Sequence, residues 1–135
     1  MSDCIFCKIV AGEIPCYKIY EDDDFLAFLD IQPISKGHTL IIPKKHYETF
    51  EETPVEILAR MIKIVHKIGI MVKQATNADG FNVGLNNCPA AGQIIMHTHF
   101  HIIPRFNNDE LRTWPSVECS KEEFEEISKN MKNNL

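Results

Sequence analysis

The apolar positions of the chain change their period near its middle, which separates predicted strands from a predicted helix. Residues 17–21 and 25–31 alternate or run apolar on either side of the acidic residues 22–24, and this pattern predicts a β-hairpin. Residues 38–42 form another apolar run, which ends before Pro43 and predicts a third strand. Two later apolar runs predict strands over residues 81–85 and 94–103.

The pattern becomes helical over residues 54–75, where apolar side chains recur at three- and four-residue spacing. Thr53 is the predicted N-cap, Pro54 occupies the first turn, and Glu56 completes the start signal. The apolar positions cover an arc of about 180°, whereas packing on one sheet requires about 100°. The wider arc favours a second apolar partner, most economically another copy of the chain, over a helix buried in its own core.

The order of these segments indicates the fold class. Strands lie before and after the long helix without regular alternation of β and α, which favours antiparallel pairing. Residues 121–131 predict a C-terminal amphipathic helix. We therefore expect an α+β fold, with an antiparallel sheet of about five strands, one long central helix and a C-terminal helix, and with the helices on one face. No repeat or linker interrupts the sequence, so one domain is expected over residues 1–135.

Composition narrows the class of protein further. Hydrophobic residues make up 44% and charged residues 24% of the 135 positions, as in ordinary globular domains. The net charge is −5 and the sequence shows no basic stripe, so no nucleic-acid polymer is expected as a partner. No segment has the length of a membrane span, and Asp3 lies where a signal peptide would be basic. We expect a cytoplasmic protein whose five cysteines are thiols or metal ligands.

Three of the six histidines fall in one five-residue run, His97-Thr98-His99-Phe100-His101. In a strand these three imidazoles would share one face. One interpretation is a metal cage, but the outer Cα atoms would lie about 13 Å apart, too far for all three rings to converge easily on one ion. In the other interpretation, the middle imidazole attacks phosphorus while its neighbours bind the negative oxygens.

The segments around this run resemble the histidine triad (HIT) family. Residues 92–103 are similar to the family signature, in which histidines alternate with apolar residues. Residues 28–31, 37–46 and 4–9 are similar to other parts of the domain and keep the family's order. The branch that the chain resembles most is that of the Hint-type nucleotide hydrolases. The resemblance implies one HIT domain whose sheet is extended across a homodimer.

The resemblance also implies a role for each matching residue. His99 would attack the α-phosphorus of a nucleotide and form a covalent nucleotidyl-histidine, which water then cleaves. His101 would contact the phosphate, and His38 would support it from the neighbouring strand. The resemblance implies that Asp30 binds the ribose hydroxyls and that Ile31, Phe28 and Ile9 line the slot for the purine. Asn86 and Gln93 would hold phosphate oxygens, and Trp114 would approach the active site from the partner subunit. Core packing for the apolar residues, turn formation for Asn86 and an interface anchor for Trp114 are the alternatives.

The implied activity is hydrolysis of purine nucleoside 5′-phosphoramidates at the α-phosphorus. Hydrolysis of dinucleoside polyphosphates is the alternative within the same chemistry. A nucleotide-binding protein with little turnover is a second alternative, because Ile94 occupies a position where the family usually has serine or threonine. A metallohydrolase that uses two histidines of the run is a third.

A pair of cysteines raises the question of a metal. Cys4 and Cys7 have chelating spacing but supply only half of a structural zinc site. Some members of the family complete such a site with the histidine after Pro-Lys-Lys and with the first histidine of the triad, which here are His46 and His97. The resemblance therefore implies structural zinc on these four residues. Two reduced thiols packed as small apolar groups are the alternative.

Overall fold

The computed structural model describes residues 3–135. The first two residues lie outside the described residues. They belong to the predicted domain and to the N-terminal segment that is predicted not to be a signal peptide. Within residues 3–135 the chain forms three α-helices and five strands, in the order α1 (Ile5–Val10), β1 (Lys18–Glu21), β2 (Phe25–Leu29), β3 (Thr39–Pro43), α2 (Val55–Thr76), β4 (Gly80–Leu85), β5 (Phe100–Arg105) and α3 (Lys121–Asn133).

The five strands form one sheet in the order β1-β2-β3-β5-β4. Every neighbouring pair is antiparallel, so the predicted α+β fold with a five-stranded antiparallel sheet is confirmed. The long helix α2 lies in sequence between β3 and β4, and β5 then returns to pair with both strands. This topology places strand β5, which contains the last histidine of the run, inside the sheet and leaves β4 at an edge.

One face of the sheet, here called the α2 face, packs against the long helix. Its buried sheet residues alternate along the strands, and its helix residues recur at helical spacing. The cluster consists of Phe25, Ala27, Ile41, Phe100 and Ile102 on the sheet and Met61, Val65, Ile68 and Val72 on α2. The rest of the predicted apolar arc is not covered, since Ile62, Ile70 and Met71 on α2 remain 39–50% exposed.

The opposite face, here called the α1 face, is covered by α1. Its cluster contains Phe6 of α1 together with Leu26, Phe28, Leu40 and Ile42. These strand residues alternate with those of the α2 face, as expected for a pleated sheet. The prediction that the helices pack on one face is therefore wrong. Helix α3, all of whose residues the structure describes, contains no buried residue and contributes to neither core.

Two boundaries differ from the predictions for physical reasons. The strand predicted over residues 94–103 begins only at Phe100 and ends at Arg105. Before Phe100 the backbone leaves the ladder, because the Thr98 amide donates to the carbonyl of Tyr47 at 2.7 Å. The predicted N-cap is also wrong: Pro54 occupies that position, and the Thr53 hydroxyl bonds the Thr98 hydroxyl at 2.7 Å.

Across residues 3–135, no helix combines the length and the apolar character needed to cross a membrane.

Candidate active site and metal-binding cluster

The histidine run reaches the α1 face from two kinds of backbone. His101 lies on β5, opposite Leu40 of β3, whereas His97 and His99 lie in the irregular segment before the strand. The hydroxyl of Thr98 bonds the carbonyl of Thr49 at 2.9 Å and points away from the α1 face. The two flanking imidazoles face α1 instead, since the rings of His97 and His99 both contact Phe6.

The ring of His99 has one fixed nitrogen and one free nitrogen. Its Nδ1 lies 2.7 Å from the carbonyl oxygen of His97, which can only accept, so Nδ1 carries the proton. In a neutral imidazole the other nitrogen, Nε2, then holds a lone pair. The side chain is 6% exposed and is therefore almost fully removed from water. This arrangement leaves Nε2 available as a nucleophile or base.

A chain of hydrogen bonds fixes the tautomers of the two neighbouring histidines. The backbone amide of Ile34 donates to His38 Nδ1 at 3.1 Å, so neutral His38 carries its proton on Nε2. That proton is donated to His101 Nδ1 at 2.9 Å. His101 must then carry its proton on Nε2, the buried side-chain atom that has no hydrogen-bond partner within residues 3–135. The Ile34 amide therefore makes His101 a donor whose free end can meet an anionic oxygen.

The site favours neutral imidazoles because it is dry. Burial lowers the pKa values of His38 and His99, although the nearby Asp30 carboxylate partly opposes the shift. Burial, followed by repulsion from His99 and His38, lowers the pKa of His101 to about 4. At neutral pH the three rings therefore act as oriented donors and acceptors rather than as cations.

A second cluster lies beside these histidines and combines two thiols with two imidazoles. His97 Nδ1 lies 3.4 Å from Cys4 Sγ, 3.6 Å from Cys7 Sγ and 3.1 Å from His46 Nδ1. Cys7 Sγ lies 3.3 Å from His46 Nδ1. The other nitrogen of His97, Nε2, donates to the carbonyl of Pro43 at 2.7 Å, so Nδ1 faces the cluster as a lone pair.

These four residues fit a tetrahedral metal ion. Bonds of about 2.3 Å to sulfur and about 2.1 Å to nitrogen would separate neighbouring ligand atoms by about 3.3–3.8 Å. The four ligand atoms all lie within 4.8 Å of one another. Burial and the adjacent Cys4 raise the pKa of the Cys7 thiol to about 11, and a cation would supply the charge needed to deprotonate it. The structure thus brings together the four predicted metal ligands, Cys4, Cys7, His46 and His97.

The predicted nucleoside-binding residues lie next to His38, His99 and His101. Asp30 Oδ1 accepts from the Gln32 amide at 2.8 Å, while Oδ2 lies 3.7 Å from His38 Nε2 and retains capacity for other donors. Phe28 is buried on the α1 face, and Ile9 packs against the same cluster. Ile31 is 79% exposed, so its side chain is open to a ligand.

The other predicted substrate-binding residues are arranged differently. Gln93 is buried, and its amide bonds the Cys88 amide and the carbonyls of Glu48 and Ile95, which directs it to the loop instead of to a ligand. Asn86 makes a long bond of 3.4 Å to the Gly92 carbonyl. Trp114 is 92% exposed, so its own chain does not bring it to the site, and Ile94 is 88% exposed.

Two contributors to the site were missed from the sequence. The amide of Ile34 is a backbone group, and no side-chain pattern indicates it. Phe6 lies between the two cysteines and contacts the rings of His97 and His99, but α1 is too short for its period to be recognised. The cysteine spacing marked the correct segment without indicating a helix.

The fold and the site together define a class of protein. It is an antiparallel α+β domain in which alternate histidines face the same side. The family model described as the HIT domain matches residues 11–108. The chain therefore belongs to the HIT family, as its sequence motifs predicted.

Two curated relatives carry activity names. The chain is 54% identical over 115 residues to adenylylsulfatase HINT3 of Arabidopsis thaliana, a match that covers 85% of this chain and 57% of that protein. It is 45% identical over 135 residues to adenosine 5′-monophosphoramidase hnt1 of Schizosaccharomyces pombe, which covers 96% of this chain and 98% of that protein. The chain thus spans little more than half the length of the first relative and nearly all of the second.

One similar crystal structure contains a metal. It is a Zn-bound histidine triad family protein from Mycobacterium smegmatis, with a TM-score of 0.79 and 34% identity over 99% of both chains.

Proposed function

We propose that the protein is a hydrolase that cleaves purine nucleoside 5′-phosphoramidates at the α-phosphorus through a covalent intermediate on His99. The observation that supports this proposal is that two neighbouring imidazole nitrogens differ in protonation. His99 Nε2 holds a lone pair, and His101 Nε2 holds a proton without a partner within residues 3–135. A nucleophile beside a buried donor suits attack on a phosphorus whose oxygens gain negative charge.

In the first step, the His99 Nε2 lone pair forms a bond to phosphorus while the phosphorus–amine bond breaks. The amine leaves with the bonding electrons and takes up a proton from solvent. His99 then carries positive charge, which its Nδ1–H shares with the carbonyl of His97. His101 Nε2–H donates to a non-bridging oxygen throughout. In the second step, water forms a bond to phosphorus while the bond from His99 Nε2 to phosphorus breaks. Its electron pair returns to the imidazole and the proton that water loses passes to solvent, which releases the nucleoside monophosphate and restores neutral His99.

The substrate's other end is assigned to the residues beside the histidines. The open oxygen of Asp30 would accept from ribose hydroxyls, since a carboxylate accepts such protons well and repels phosphate. Phe28, Ile9 and Ile31 would form the apolar wall for the purine. Asn86 would donate to a phosphate oxygen. Gln93 would act through the loop that it holds, because its amide already has three backbone partners.

Zinc is the metal proposed for Cys4, Cys7, His46 and His97. Two thiols and two imidazoles at tetrahedral spacing form a closed donor set, which is typical of structural sites. The ion would supply folding energy and connect α1 to the histidine segment. A metallohydrolase would need two histidines of the run on one ion. Across the described chain, the groups of three or more metal-competent side chains each contain one of them.

A homodimer is part of the proposal. Apolar side chains on α2 and on the edge strand β4 remain accessible in one copy, and a second copy related by a two-fold axis could cover them. They include Ile62, Ile70, Met71 and Val83, which are 39–50% exposed. The 92% exposed Trp114 would then be free to approach the partner subunit's site, as the family resemblance implies.

Adenylyl sulfate is a second candidate substrate, because the relative with 54% identity is named an adenylylsulfatase. The same His99 attack would release sulfate, which leaves without needing a proton. Dinucleoside polyphosphates would release a more highly charged group, which the neutral imidazoles of the site would stabilise less well. Turnover of all three substrates under one set of conditions would rank them.

The proposal is tested by replacing the nucleophile. We expect His99→Asn to lower kcat for adenosine 5′-phosphoramidate by at least ~10³-fold, because no nitrogen lone pair would remain for attack. His66→Asn is the matched control, since His66 is an exposed histidine on α2 outside the site. Release of the amine is measured with both variants shown to be folded. Wild-type turnover by His99→Asn would refute the assignment.

A further inference from the structure

Phe6 connects the metal-binding cluster with the proposed nucleophile. It lies between Cys4 and Cys7, and its side chain is 6% exposed. Its ring meets the ring of His99 edge-on, with centroids 5.1 Å apart and an interplanar angle of 87°. The same ring meets His97 at 5.9 Å and 74°. One aromatic side chain therefore contacts both a candidate metal ligand and its catalytic neighbour.

The placement of Phe6 depends on the cysteines on either side of it. Helix α1 has six residues, too few to be stable by itself. Phe6 is the one buried residue among the six, all of which the structure describes. Cys4 is the N-cap, and its sulfur accepts from the Cys7 amide at 3.4 Å. Holding both sulfurs at the cluster therefore fixes the first turn of α1, and with it the ring of Phe6.

The orientation of His99 needs more than its hydrogen bond. The bond from Nδ1 to the His97 carbonyl fixes one atom, but the ring can still tilt around it. His101 limits this tilt on one side, with ring centroids 4.9 Å apart. Phe6 packs at 5.1 Å and restricts the ring further. Without Phe6, the ring of His99 would gain space to tilt or to turn its free nitrogen away from the substrate.

We propose that Phe6 is a positioning residue for His99, and that a metal ion on Cys4, Cys7, His46 and His97 keeps Phe6 against the nucleophile. This inference rests on the proposed function, because it concerns the orientation of the proposed nucleophile. It gives the metal site a role in catalysis beyond folding. Two routes lead from the cluster to His99: the ring of Phe6 and the carbonyl of His97.

The first test reads the state of His99 directly by ¹⁵N NMR of the imidazoles in the zinc-loaded protein. In the wild type we expect one neutral tautomer, with the proton on Nδ1. In Phe6→Leu we expect signals averaged between the two neutral tautomers, because a ring that turns away from the His97 carbonyl no longer keeps its proton on Nδ1. We also expect a rate of nucleotidyl transfer at saturating substrate lower by on the order of tenfold. Phe6→Met, which places a flexible and adaptable apolar side chain at the same position, provides a second variant if Phe6→Leu folds poorly.

Leu26→Ala is the matched control for lost packing. Leu26 belongs to the same cluster as Phe6 and is equally well buried. It pairs with Ile42 on β3, which separates it from the backbone position of His99. We expect this variant to lose stability while the His99 signals keep the wild-type tautomer. Equal changes in Leu26→Ala and Phe6→Leu would overturn the proposal, since they would show that general loosening is sufficient.

The second test uses zinc alone as the probe. Removing zinc from the folded wild type should broaden or shift the His99 signals, and adding zinc should restore them. In the Phe6 variants, zinc should change these signals by much less. An unchanged His99 tautomer in the zinc-free wild type, or in both Phe6 variants, would overturn the inference. Failure of the proposed function is distinguishable from this result, because it would appear as absence of a nucleotidyl-histidine in the zinc-loaded wild type.

Discussion

The two faces of the sheet are built in different ways. The α2 face is covered by a helix of 22 residues, and its core consists of apolar side chains. The α1 face is covered by a helix of six residues and carries the buried histidines and the cluster proposed to bind a metal, which consists of Cys4, Cys7, His46 and His97. On β5, consecutive side chains lie on different faces of the sheet. Phe100 and Ile102 enter the α2 core, while His101 faces the opposite side.

This difference separates stability from chemistry. The α2 face can bury apolar surface without any polar group to satisfy, so it provides most of the packing energy. The α1 face removes four imidazoles from water, which is costly unless each has a partner or a task. His97 is directed to the metal-binding cluster and His99 to its backbone bond, while His38 and His101 bond each other. The proposed zinc ion would allow a short helix with two cysteines to cover this face, because a bound metal can replace packing.

The largest effect is expected on the α2 face. Met61 is fully buried in the core, so Met61→Ala should lower the free energy of unfolding by about 3 kcal/mol. Because Met61 lies across the sheet from the histidines, the folded fraction should keep the wild-type kcat. Urea unfolding and turnover per folded molecule measure the two quantities. A large fall in kcat would show that the faces are not independent.

A smaller effect is expected from acid on the α1 face. Burial lowers the pKa of His101 to about 4, whereas an unfolded chain keeps a histidine pKa near about 6.5. Between these values the unfolded state binds the proton more tightly, so stability is present above the unfolded pKa and is lost as pH falls toward the folded value. The His101 contribution to this loss should be about 2 kcal/mol by pH 4.5.

Comparing the wild type with His101→Asn isolates that contribution. The asparagine amide oxygen can still accept from His38, but the side chain does not titrate. Unfolding free energies are measured for both proteins at pH 7 and pH 4.5. Identical losses in the two proteins would contradict the assignment of a buried neutral imidazole at this position.

The smallest effect is local. Removing zinc by chelation should speed hydrogen exchange of the α1 amides by roughly tenfold, because the proposed ion would hold this helix through Cys4 and Cys7. Amides of α2 around Val65 and Ile68 should change much less, since their packing is apolar. Mass spectrometry of exchanged peptides gives both rates from one sample. Equal acceleration of α1 and α2 would indicate that the metal supports the whole fold.

Sequence patterns predicted the α2 face better than the α1 face. The helical period of residues 54–75 and the apolar runs of four strands placed their elements to within a few residues. Burial of apolar side chains leaves a regular period in the sequence, and such a period can be read without the structure. The segment before β5 was assigned to a strand because Ile94 and Ile95 continue the apolar run, yet Thr98 bonds the Tyr47 backbone instead of β3.

The residue types of the candidate site were predicted from the sequence, but their geometry could not be predicted in this way. Cysteine spacing and the family resemblance brought Cys4, Cys7, His46 and His97 together on paper, and the structure places their ligand atoms within 4.8 Å. The tautomers depend on carbonyl and amide groups of distant residues, such as Ile34 and Pro43, which no side-chain pattern encodes. The inward-turned amide of Gln93 was missed for the same reason.

The proposed reaction depends on a covalent bond between His99 Nε2 and the nucleotide. The most direct measurement is to mix the protein with adenosine 5′-phosphoramidate, quench within one turnover and map the modified residue by mass spectrometry under conditions that preserve phosphorus–nitrogen bonds. We expect an adenylyl group on His99, and none in His99→Asn. An adenylyl group on another residue, or product formation with no protein-bound nucleotide at any time, would contradict it.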